Sequence, residues 1–432
     1  MPGESSLAGA LMKLVHQTPI SWVWGAAEQA QESDLAELCR ALLSSRGQAS
    51  GIAIADRVLT LFEGLEEQEQ IAFFTLLETD FEVDLVAVRE AVALAQSNGA
   101  EGFAALQKAA EPSRQELLRR LNAAPQGTSR LVALRAKLLK LLRDHPHLAT
   151  IDNDLRHLLT SWFNRGFLLP TRIDWSTSAE VLEKIIAYEA VHAIDNWEAL
   201  RLRLVPPDRR CFAFFHPAMP NEPLIFVEVA LMDGIASSIQ NVLDEDRAPI
   251  DARHANTAVF YSISNCQAGL AGISFGAFLI KQVAADLAHE LPNLTKFATL
   301  SPLPGFAIWL ASEVENSDAK PLEGEALRSL ATTYLIDAKD RRGRPLDAVA
   351  KFHLGNGAQL HQIQCDADMS AKGMAQSHGL MVNYLYELDK VESRHEAYAT
   401  AGELSISRAV KSLHQKTGES DWARSLFQTD KT

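Results

Sequence analysis

Cysteine is scarce in this chain of 432 residues, which contains only Cys39, Cys211, Cys266 and Cys365. No two of them form a C-x-x-C pair, so the sequence predicts neither a zinc site nor a disulfide framework. Scattered single thiols are typical of proteins that work in a reducing compartment.

Long apolar runs are missing as well, and no uninterrupted one is long enough to cross a bilayer. The first residues lack the basic start and apolar core of a secretory signal. They also lack the arginine-rich character of an organellar transit peptide. We therefore expect a cytoplasmic protein that has no membrane partner.

Basic residues are fewer than acidic ones: the chain has 41 Lys and Arg residues and 55 Asp and Glu residues, which give a net charge of -14. A nucleic-acid backbone requires a basic footprint, so this balance argues against a nucleic-acid partner. The hydrophobic fraction of 47% and the charged fraction of 22% are ordinary for a globular chain. The length allows more than one domain.

Residues 1–164 carry apolar residues at helical spacing and predict an all-helical domain. Within it, Ser113 and Glu116 have the spacing of a capping box that opens one helix. No chemistry is evident in this part, so we interpret it as an interaction or oligomerisation module. Strand-like runs and most prolines follow it, which places a second, mixed α/β domain at residues 165–432.

The central stretch of the second domain, residues 257–305, predicts a strand, a glycine-rich turn, a helix and a second strand. Such crossover units are right-handed almost without exception. The turn contains Gly269, Gly272 and Gly276. Glycines allow close approach of a ligand, and a helix N-terminus offers free N–H groups, so the turn could bind phosphate. The alternative is a plain strand-to-helix turn.

The remaining elements of this domain are predicted from periodicity and turn residues. An amphipathic helix is expected over Ser178–Val205, and a hairpin over Arg210–Phe215 and Leu224–Met232. Residues 347–358 predict a strand that ends in a tight turn at Asn356-Gly357. This strand would carry His353.

Ordered segments of the second domain resemble the malonyl-CoA decarboxylase family. The resemblance is carried by Gln267-Ala-Gly-Leu-Ala-Gly272, Leu300-Ser-Pro-Leu-Pro-Gly-Phe306 and Phe352-His-Leu-Gly-Asn-Gly-Ala358. Further matching segments are Glu189-Ala-Val-His192 with Trp197, Asn221-Glu-Pro-Leu224, Val229-Ala-Leu231, Ser237-Ser-Ile-Gln240, Phe260-Tyr-Ser-Ile-Ser264, Phe278-Leu-Ile-Lys281 and Gly379-Leu-Met-Val-Asn-Tyr384.

The resemblance implies an α+β chain in which the helical domain precedes a catalytic domain similar to the GNAT acyltransferase fold. It implies conversion of malonyl-CoA to acetyl-CoA and carbon dioxide, with Ser301 as proton acceptor and His353 as proton donor. Lys184 is a possible supporting residue. No metal or organic cofactor is expected, because the thioester is itself the electron sink and coenzyme A is part of the substrate. A homo-oligomer through the helical domain is also expected.

The glycine-rich loop is expected to hold the coenzyme A pyrophosphate through backbone N–H groups. Ser274 stands where some relatives are expected to carry a carboxylate. Arg209, Arg210, Arg253 and Lys281 are candidate cations by sequence proximity alone. The loop residues of the expected site are Gln267, Gly269, Leu270, Ala271, Gly272, Ile273, Ser274, Phe275, Gly276 and Ala277.

Two other functions are compatible with parts of the sequence. Residues 272–276 fit G-x-S-x-G, so Ser274 could be the nucleophile of a serine hydrolase or thioesterase, with Asp337 and His353 completing a triad. However, residues 265–271 separate the strand from this motif, whereas a nucleophile elbow follows its strand directly. An acyl-CoA-binding or acetyltransferase-like protein is the third possibility, since it would share the coenzyme A site.

Overall fold

We analysed a computed structural model that describes residues 35–45, 47–273, 276–313 and 324–419. Its contacts divide the chain into two units. One comprises residues 1–161 together with Ala268–Gly272, and the other comprises residues 162–267 and 273–432. The predicted boundary at residues 164–165 was placed by composition, which gave no indication that Ala268–Gly272 groups with the helical unit. No helix in the described part of the chain is long and apolar enough to span a membrane.

The helical region contains seven α-helices among its described residues. They are α1 (Leu35–Ser44), α2 (Gln48–Glu63), α3 (Glu67–Thr79), α4 (Leu85–Ala109), α5 (Ser113–Leu121), α6 (Gly127–Leu141) and α7 (Ala149–Trp162). The predicted capping box of α5 is wrong, because Pro112 occupies the N-cap and no side chain caps the helix. A capping box forms instead at the start of α3, between Glu66 and Glu69.

The second unit is a mixed α/β domain. Its strands are β1 (Leu169–Ile173), β2 (Arg209–Phe215), β3 (Ile225–Met232), β4 (Thr257–Asn265), β5 (Lys296–Thr299), β6 (Ser301–Pro302), β7 (Gln359–Gln364) and β8 (Met381–Tyr386). Its helices are α8 (Ala179–Tyr188), α9 (Trp197–Leu204), α10 (Ile239–Leu243), α11 (Gly276–Glu290), α12 (Phe306–Glu313), α13 (Gly324–Ile336), α14 (Ala348–Gly355), α15 (Ala371–Ser377), α16 (Val391–Ala401) and α17 (Arg408–Glu419).

The strands form one mixed sheet in the order β1-β2-β3-β4-β5-β8-β6, and β7 also pairs with β8. Neighbours from β1 to β4 are antiparallel, and β4 pairs in parallel with β5. Strand β2 is buried along its whole length and β3 along nearly all of it. Continuous burial explains their near-continuous apolar sequence, because both faces of these strands are covered.

The predicted crossover unit is confirmed. Strand β4, the glycine-rich loop, helix α11 and strand β5 follow one another, and β4 and β5 are parallel neighbours. This pairing brings the chain after β5 to the same sheet edge as the loop after β4. A helical region followed by a mixed α/β domain that contains this crossover unit agrees with the predicted α+β class.

The single helix predicted over Ser178–Val205 is wrong. Helices α8 and α9 are separated by residues 189–196, which form no regular element. The Glu189 carboxylate accepts hydrogen bonds from the backbone N–H groups of Val191 and His192, at 2.7 and 2.9 Å. These bonds stabilise a non-helical turn that competes with helix continuation.

The strand predicted over residues 347–358 is also wrong, because Ala348–Gly355 forms helix α14. The Asp347 side chain caps this helix by accepting a hydrogen bond from the Ala350 N–H at 2.8 Å. Burial of Ala350, His353 and Leu354, with Phe352 only half-buried, follows the i, i+3, i+4 spacing of a helix rather than the alternation of a strand. His353 therefore lies in the last turn of a helix, and Asn356-Gly357 ends that helix instead of forming a hairpin.

Candidate active site

The two residues expected to carry the chemistry lie in direct contact. The Oγ atom of Ser301 in β6 is 3.0 Å from Nε2 of His353 in α14. Their exposed fractions are only 5% and 2%. Sheet pairing of β6 with β8, together with helix α14, therefore joins two groups that are 52 residues apart in sequence.

The hydrogen bonds around this pair define the tautomer of the imidazole. The Ser301 hydroxyl donates to Oγ1 of Thr299 at 2.8 Å. Since a serine hydroxyl has only one proton, Nε2 of His353 must carry a proton and donate to Ser301. In the neutral ring Nδ1 is then the acceptor, and the Tyr386 hydroxyl donates to it at 2.9 Å.

Neighbouring residues of β5 and β8 hold this arrangement in place. Oγ1 of Thr299 also accepts the backbone N–H of Tyr384 at 3.1 Å, and the Thr299 carbonyl accepts the Asn383 side-chain amide at 2.8 Å. The Tyr384 ring stacks on the His353 ring with centroids 4.6 Å apart. The sequence analysis missed Thr299 and Tyr386. Alternation along β8 was the available signal, because Tyr384 and Tyr386 share one strand face.

Burial determines the charge state of the site. It lowers the pKa of His353 from 6.5 to about 3, because desolvation disfavours the imidazolium form. Burial also raises the pKa values of Tyr384 and Tyr386 well above their ordinary range. The unliganded site is therefore neutral at physiological pH.

Ser301 and His353 both line a cavity of about 300 Å³. Apolar residues such as Val191, Val349 and Phe352 form much of its remaining wall. A cavity of this size and composition suits a small acyl group, with the polar pair providing the few groups that orient it.

The irregular segment 189–196 supplies Val191 to this cavity. Both oxygens of the Glu189 carboxylate lie within 2.8 Å of the Ser262 hydroxyl of β4, in addition to accepting the two backbone N–H groups. Burial lowers the pKa of the adjacent His192 to about 4. His192 is not among the residues that line the cavity.

The glycine-rich loop is held by an arginine of the helical unit. Arg135 in α6 donates from Nη1 to the carbonyl oxygens of Gly269 and Ala271, at 2.7 and 3.0 Å. Its Nε donates to Asp152 at 2.7 Å, and the side chain is fully buried. The sequence analysis found no chemistry in the helical part and gave no indication of this contact between Arg135 and the loop backbone. A lone arginine among the apolar residues of a buried helix face was the available signal.

Glycine is required at different positions of the loop for different physical reasons. A Cβ at Gly269 would lie 1.8 Å from the carbonyl oxygen of Val132, so this glycine permits packing against α6 rather than ligand approach. Gly272 has φ +76° and open space around it, which is the geometry expected beside a ligand. Ser274 and Phe275 lie outside the described residues, and Gly276 and Ala277 begin α11.

The four candidate cations all have acceptors within the described chain. Arg209 donates to the carbonyl oxygen of Val242, Arg210 to Glu290, Arg253 to Asp251 and Lys281 to Glu392. Arg209 and Arg210 begin β2, and Arg253 precedes β4, whereas the loop follows the end of β4. By strand register, these three arginines lie at the opposite end of the sheet from Asn265. Of the four candidate cations, Lys281 is the one that follows the loop closely in sequence, and it lies in helix α11.

Lys184 does not line the cavity. Its Nζ lies 2.7 Å from Glu222, and Glu222 accepts a 3.4 Å hydrogen bond from the side chain of Gln267. Burial disfavours the lysine's charge, but the carboxylates of Glu222 and Glu180 outweigh burial and raise its pKa. The contacts connect Lys184 to the first residue of the glycine-rich loop.

The triad required by a serine hydrolase does not form among the described residues. Asp337 lies 2.7 Å from Nε2 of His414 and is not a partner of His353. Both ring nitrogens of His353 are already engaged by Ser301 and Tyr386. Within the described ranges there is also no cluster of three or more His, Cys, Asp or Glu side chains suited to a metal ion.

The mixed α/β domain encloses a buried Ser–His pair beside a cavity, and comparisons with known proteins specify the family. The family model for the malonyl-CoA decarboxylase C-terminal domain matches residues 166–332 and 322–424, and that for the N-terminal domain matches residues 81–163. The chain belongs to the malonyl-CoA decarboxylase family.

Individual relatives agree with this assignment. The mitochondrial malonyl-CoA decarboxylase of Anser anser anser is 37% identical over 351 residues, which cover 70% of this chain and 69% of the relative. The crystal structure of malonyl-CoA decarboxylase from Rhodopseudomonas palustris is 48% identical, covers 88% of this chain and 98% of its own, and has a TM-score of 0.82. The corresponding enzyme structure from Agrobacterium vitis is also 48% identical, with a TM-score of 0.83 and coverage of 88% and 100%.

Proposed function

We propose that this protein decarboxylates malonyl-CoA to acetyl-CoA and carbon dioxide, with Ser301 and His353 as catalytic residues. The observation that carries the proposal is the 3.0 Å hydrogen bond between these residues in a cavity of about 300 Å³. Cleavage of the C–C bond sends its electron pair into the thioester carbonyl and releases carbon dioxide. The resulting enolate then takes one proton at C2.

Ser301 positions the substrate carboxylate in this proposal. Thr299 holds the Ser301 oxygen at a defined position in the free site, and on substrate binding the hydroxyl proton turns from Thr299 to the carboxylate. Asn265 lines the same cavity at the end of β4 and offers an amide N–H to the enolate oxygen. Such prearranged donors are usually the largest electrostatic contribution to a reaction that develops an oxyanion.

His353 protonates C2 through Nε2, the nitrogen that carries the proton in the hydrogen-bond network. The free enzyme holds this imidazole neutral because burial lowers its pKa to about 3. A substrate carboxylate bound at Ser301 brings a negative charge beside the ring and favours the imidazolium form. Substrate binding thus recruits the proton that the product acetyl group finally carries.

The glycine-rich loop is the proposed site of the coenzyme A pyrophosphate. Support comes from the open backbone at Gly272 and from the start of α11 directly after the loop. The thioester accepts the electron pair, so the proposed reaction requires no metal and no organic cofactor.

The experiment that tests this function is incubation of the purified protein with malonyl-CoA. We expect equal amounts of carbon dioxide and acetyl-CoA from the parent protein, and strongly reduced amounts of both from Ser301→Ala. Calorimetry with acetyl-CoA, which lacks the carboxylate, should give nearly the same affinity for both proteins. Absence of carbon dioxide release by the folded parent protein would refute the proposal.

We further propose that the protein is a homo-oligomer through its helical region and acts in the cytoplasm. Helix α4 exposes large apolar side chains, with exposed fractions of 65% for Leu85, 63% for Val86 and 65% for Phe103. Exposed apolar groups of this size favour burial against a second copy. Light scattering should give an oligomer for the parent and a smaller species for Phe103→Glu, and a monomeric parent would refute the oligomer.

Cell fractionation tests the proposed cytoplasmic location. The alternative location is the mitochondrion, because two relatives are named as mitochondrial.

A further inference from the structure

A second cavity of about 260 Å³ lies away from Ser301 and His353. It is formed by helix α13, strand β7 and helix α17, and its lining includes two cations, Arg328 and Lys416. Glu325 is the lining's one acidic residue, so the cavity wall carries a net positive charge in a chain whose net charge is -14. Local positive charge of this kind attracts anions.

The guanidinium of Arg328 is unusual among the cations of this domain. Among the described residues, neither Arg328 nor Lys416 has a hydrogen-bond acceptor or an ion-pair partner. The Nε atom of Arg328 is buried without an acceptor. Buried donors are nearly always paired, so a guanidinium without any acceptor in the described chain, at the wall of a cavity, indicates that an acceptor can bind there. A planar guanidinium is suited to binding carboxylate or phosphate oxygens in pairs.

Hydrogen bonds connect the wall of this cavity to the catalytic pair. Gln364 lines the cavity and donates from Nε2 to Oδ1 of Asn383 at 2.8 Å. Asn383 in turn donates to the Thr299 carbonyl at 2.8 Å, and Thr299 accepts the Ser301 hydroxyl. Two hydrogen bonds of side-chain amides therefore link Gln364 to Thr299, the residue that orients Ser301. A displacement of Gln364 is transmitted to Ser301 through these bonds.

We propose that this cavity binds a small oxyanion, a phosphate or a carboxylate, and that its binding alters turnover at the Ser301–His353 site. The anion takes the free donors of Arg328 and Lys416, and the Gln362 amide and Ser412 hydroxyl provide further polar contacts. Only the effect on turnover rests on the proposed decarboxylase function. The binding itself does not.

Cys365 provides a readout of binding that requires no malonyl-CoA. Of the four cysteines, all within the described residues, it is the one that is not buried. Its Sγ lies 3.5 Å from the Gly324 carbonyl oxygen at the start of α13. Burial raises the pKa of this thiol, whereas the positive charge of Arg328 opposes that rise. An anion on Arg328 should therefore both shield the thiol and disfavour its reactive thiolate form.

The test measures the rate at which N-ethylmaleimide labels Cys365, identified by mass spectrometry. Labelling is followed with inorganic phosphate, with acetate and with chloride alone at matched ionic strength. We expect phosphate or acetate, whichever chemistry the site prefers, to slow labelling several-fold in the parent protein. The same slowing is expected in Lys411→Gln, because Lys411 is an exposed lysine of α17 outside the cavity lining. It should be abolished in Arg328→Gln, with each variant compared against its own rate in chloride.

The proposed anion site would be refuted if labelling of Cys365 were slowed equally in Arg328→Gln, or if neither anion slowed labelling in the parent protein. The effect on turnover is measured at saturating malonyl-CoA, where competition at the coenzyme A site is suppressed. A partial change that is present in the parent and Lys411→Gln but absent in Arg328→Gln supports the coupling. Slowed labelling with unchanged turnover would refute the coupling.

Discussion

The Tyr386 hydroxyl lies 2.9 Å from Nδ1 of His353, on the side of the imidazole opposite Ser301. Its donated hydrogen bond keeps the ring proton on Nε2, where Ser301 accepts it. The phenol therefore determines which nitrogen of His353 faces the cavity with a proton. Tyr386 acts through His353 and is a positioning residue for the proposed reaction.

Replacing Tyr386 by Phe should leave the buried Nδ1 atom without a partner. An unpaired buried polar atom costs about 1–3 kcal/mol, which corresponds to a loss of roughly 5- to 150-fold in turnover. The affinity for acetyl-CoA should remain unchanged, because Tyr386 does not line the cavity. Parallel measurements of kcat and of acetyl-CoA binding check this. Weakened binding with an unchanged kcat would assign Tyr386 to the substrate site instead.

His353→Ala removes the proposed proton donor. Turnover should fall by about 10²–10⁴, the range typical of a lost general acid, while substrate affinity changes little. Steady-state kinetics with malonyl-CoA provide the measurement, and the structural control is an unchanged circular dichroism spectrum. Full turnover by a folded His353→Ala protein would exclude the assigned role.

Stability should depend on pH through His353. Its pKa is lowered by burial from 6.5 to about 3 in the folded state. Between these pH values the unfolded chain binds a proton that the folded protein does not. The contribution of the neutral, buried imidazole to the free energy of unfolding is therefore complete above about pH 6.5 and is lost as the pH falls towards 3. At pH 4 the loss is about 3 kcal/mol.

Urea unfolding of the parent and of His353→Gln, measured between pH 7 and pH 4, tests this linkage. The variant carries no titratable group at this position, so its stability should fall less steeply over the same range. Identical slopes for the two proteins would show that His353 titrates alike in the folded and unfolded states.

Arg135→Met should disturb the glycine-rich loop without touching the catalytic pair. The substitution leaves the carbonyl oxygens of Gly269 and Ala271 without their donor and leaves the Asp152 carboxylate without its partner. Breaking a buried ion pair from one side costs about 3–5 kcal/mol, so a clear loss of thermal stability is expected. Calorimetry should also show weaker acetyl-CoA binding. The matched control is Arg143→Met, which replaces an exposed arginine and should behave as the parent.

Ser274→Ala separates the decarboxylase from a thioesterase. In the proposed reaction the thioester survives, so malonyl-CoA should yield acetyl-CoA without free thiol, and the variant should keep most of its turnover. Loss of one neutral hydroxyl donor corresponds to about 0.5–1.5 kcal/mol. In heavy water, the new methyl group should carry one solvent deuteron. Stoichiometric thiol release that disappeared in Ser274→Ala would establish the hydrolase instead.

Local pattern was sufficient for part of this structure. The helical N-terminal region, the hairpin β2–β3 and the crossover from β4 to β5 follow from apolar periodicity, glycine and proline positions, and these features act over a few neighbouring residues. Ordered motifs were sufficient to indicate the family and to single out Ser301 and His353.

Periodicity failed where one polar side chain decided the backbone. The apolar pattern predicted a strand over residues 348–355, but the Asp347 side chain caps a helix there. In the other case, the Glu189 carboxylate binds backbone N–H groups and interrupts the helix that was predicted across it. Each outcome depends on side-chain hydrogen bonds that also require burial by distant elements.

The sequence by itself indicated the family, the helical region that precedes a mixed α/β domain, and Ser301 and His353 as the candidate pair. Only the tertiary structure decided which polar groups meet: Tyr386 and Nδ1 of His353, Thr299 and Ser301, and Arg135 and the loop carbonyls. Such contacts join residues far apart in the chain, where apolar spacing carries no information about which polar groups meet. They form because burial removes water and leaves each donor dependent on the acceptor that folding brings beside it.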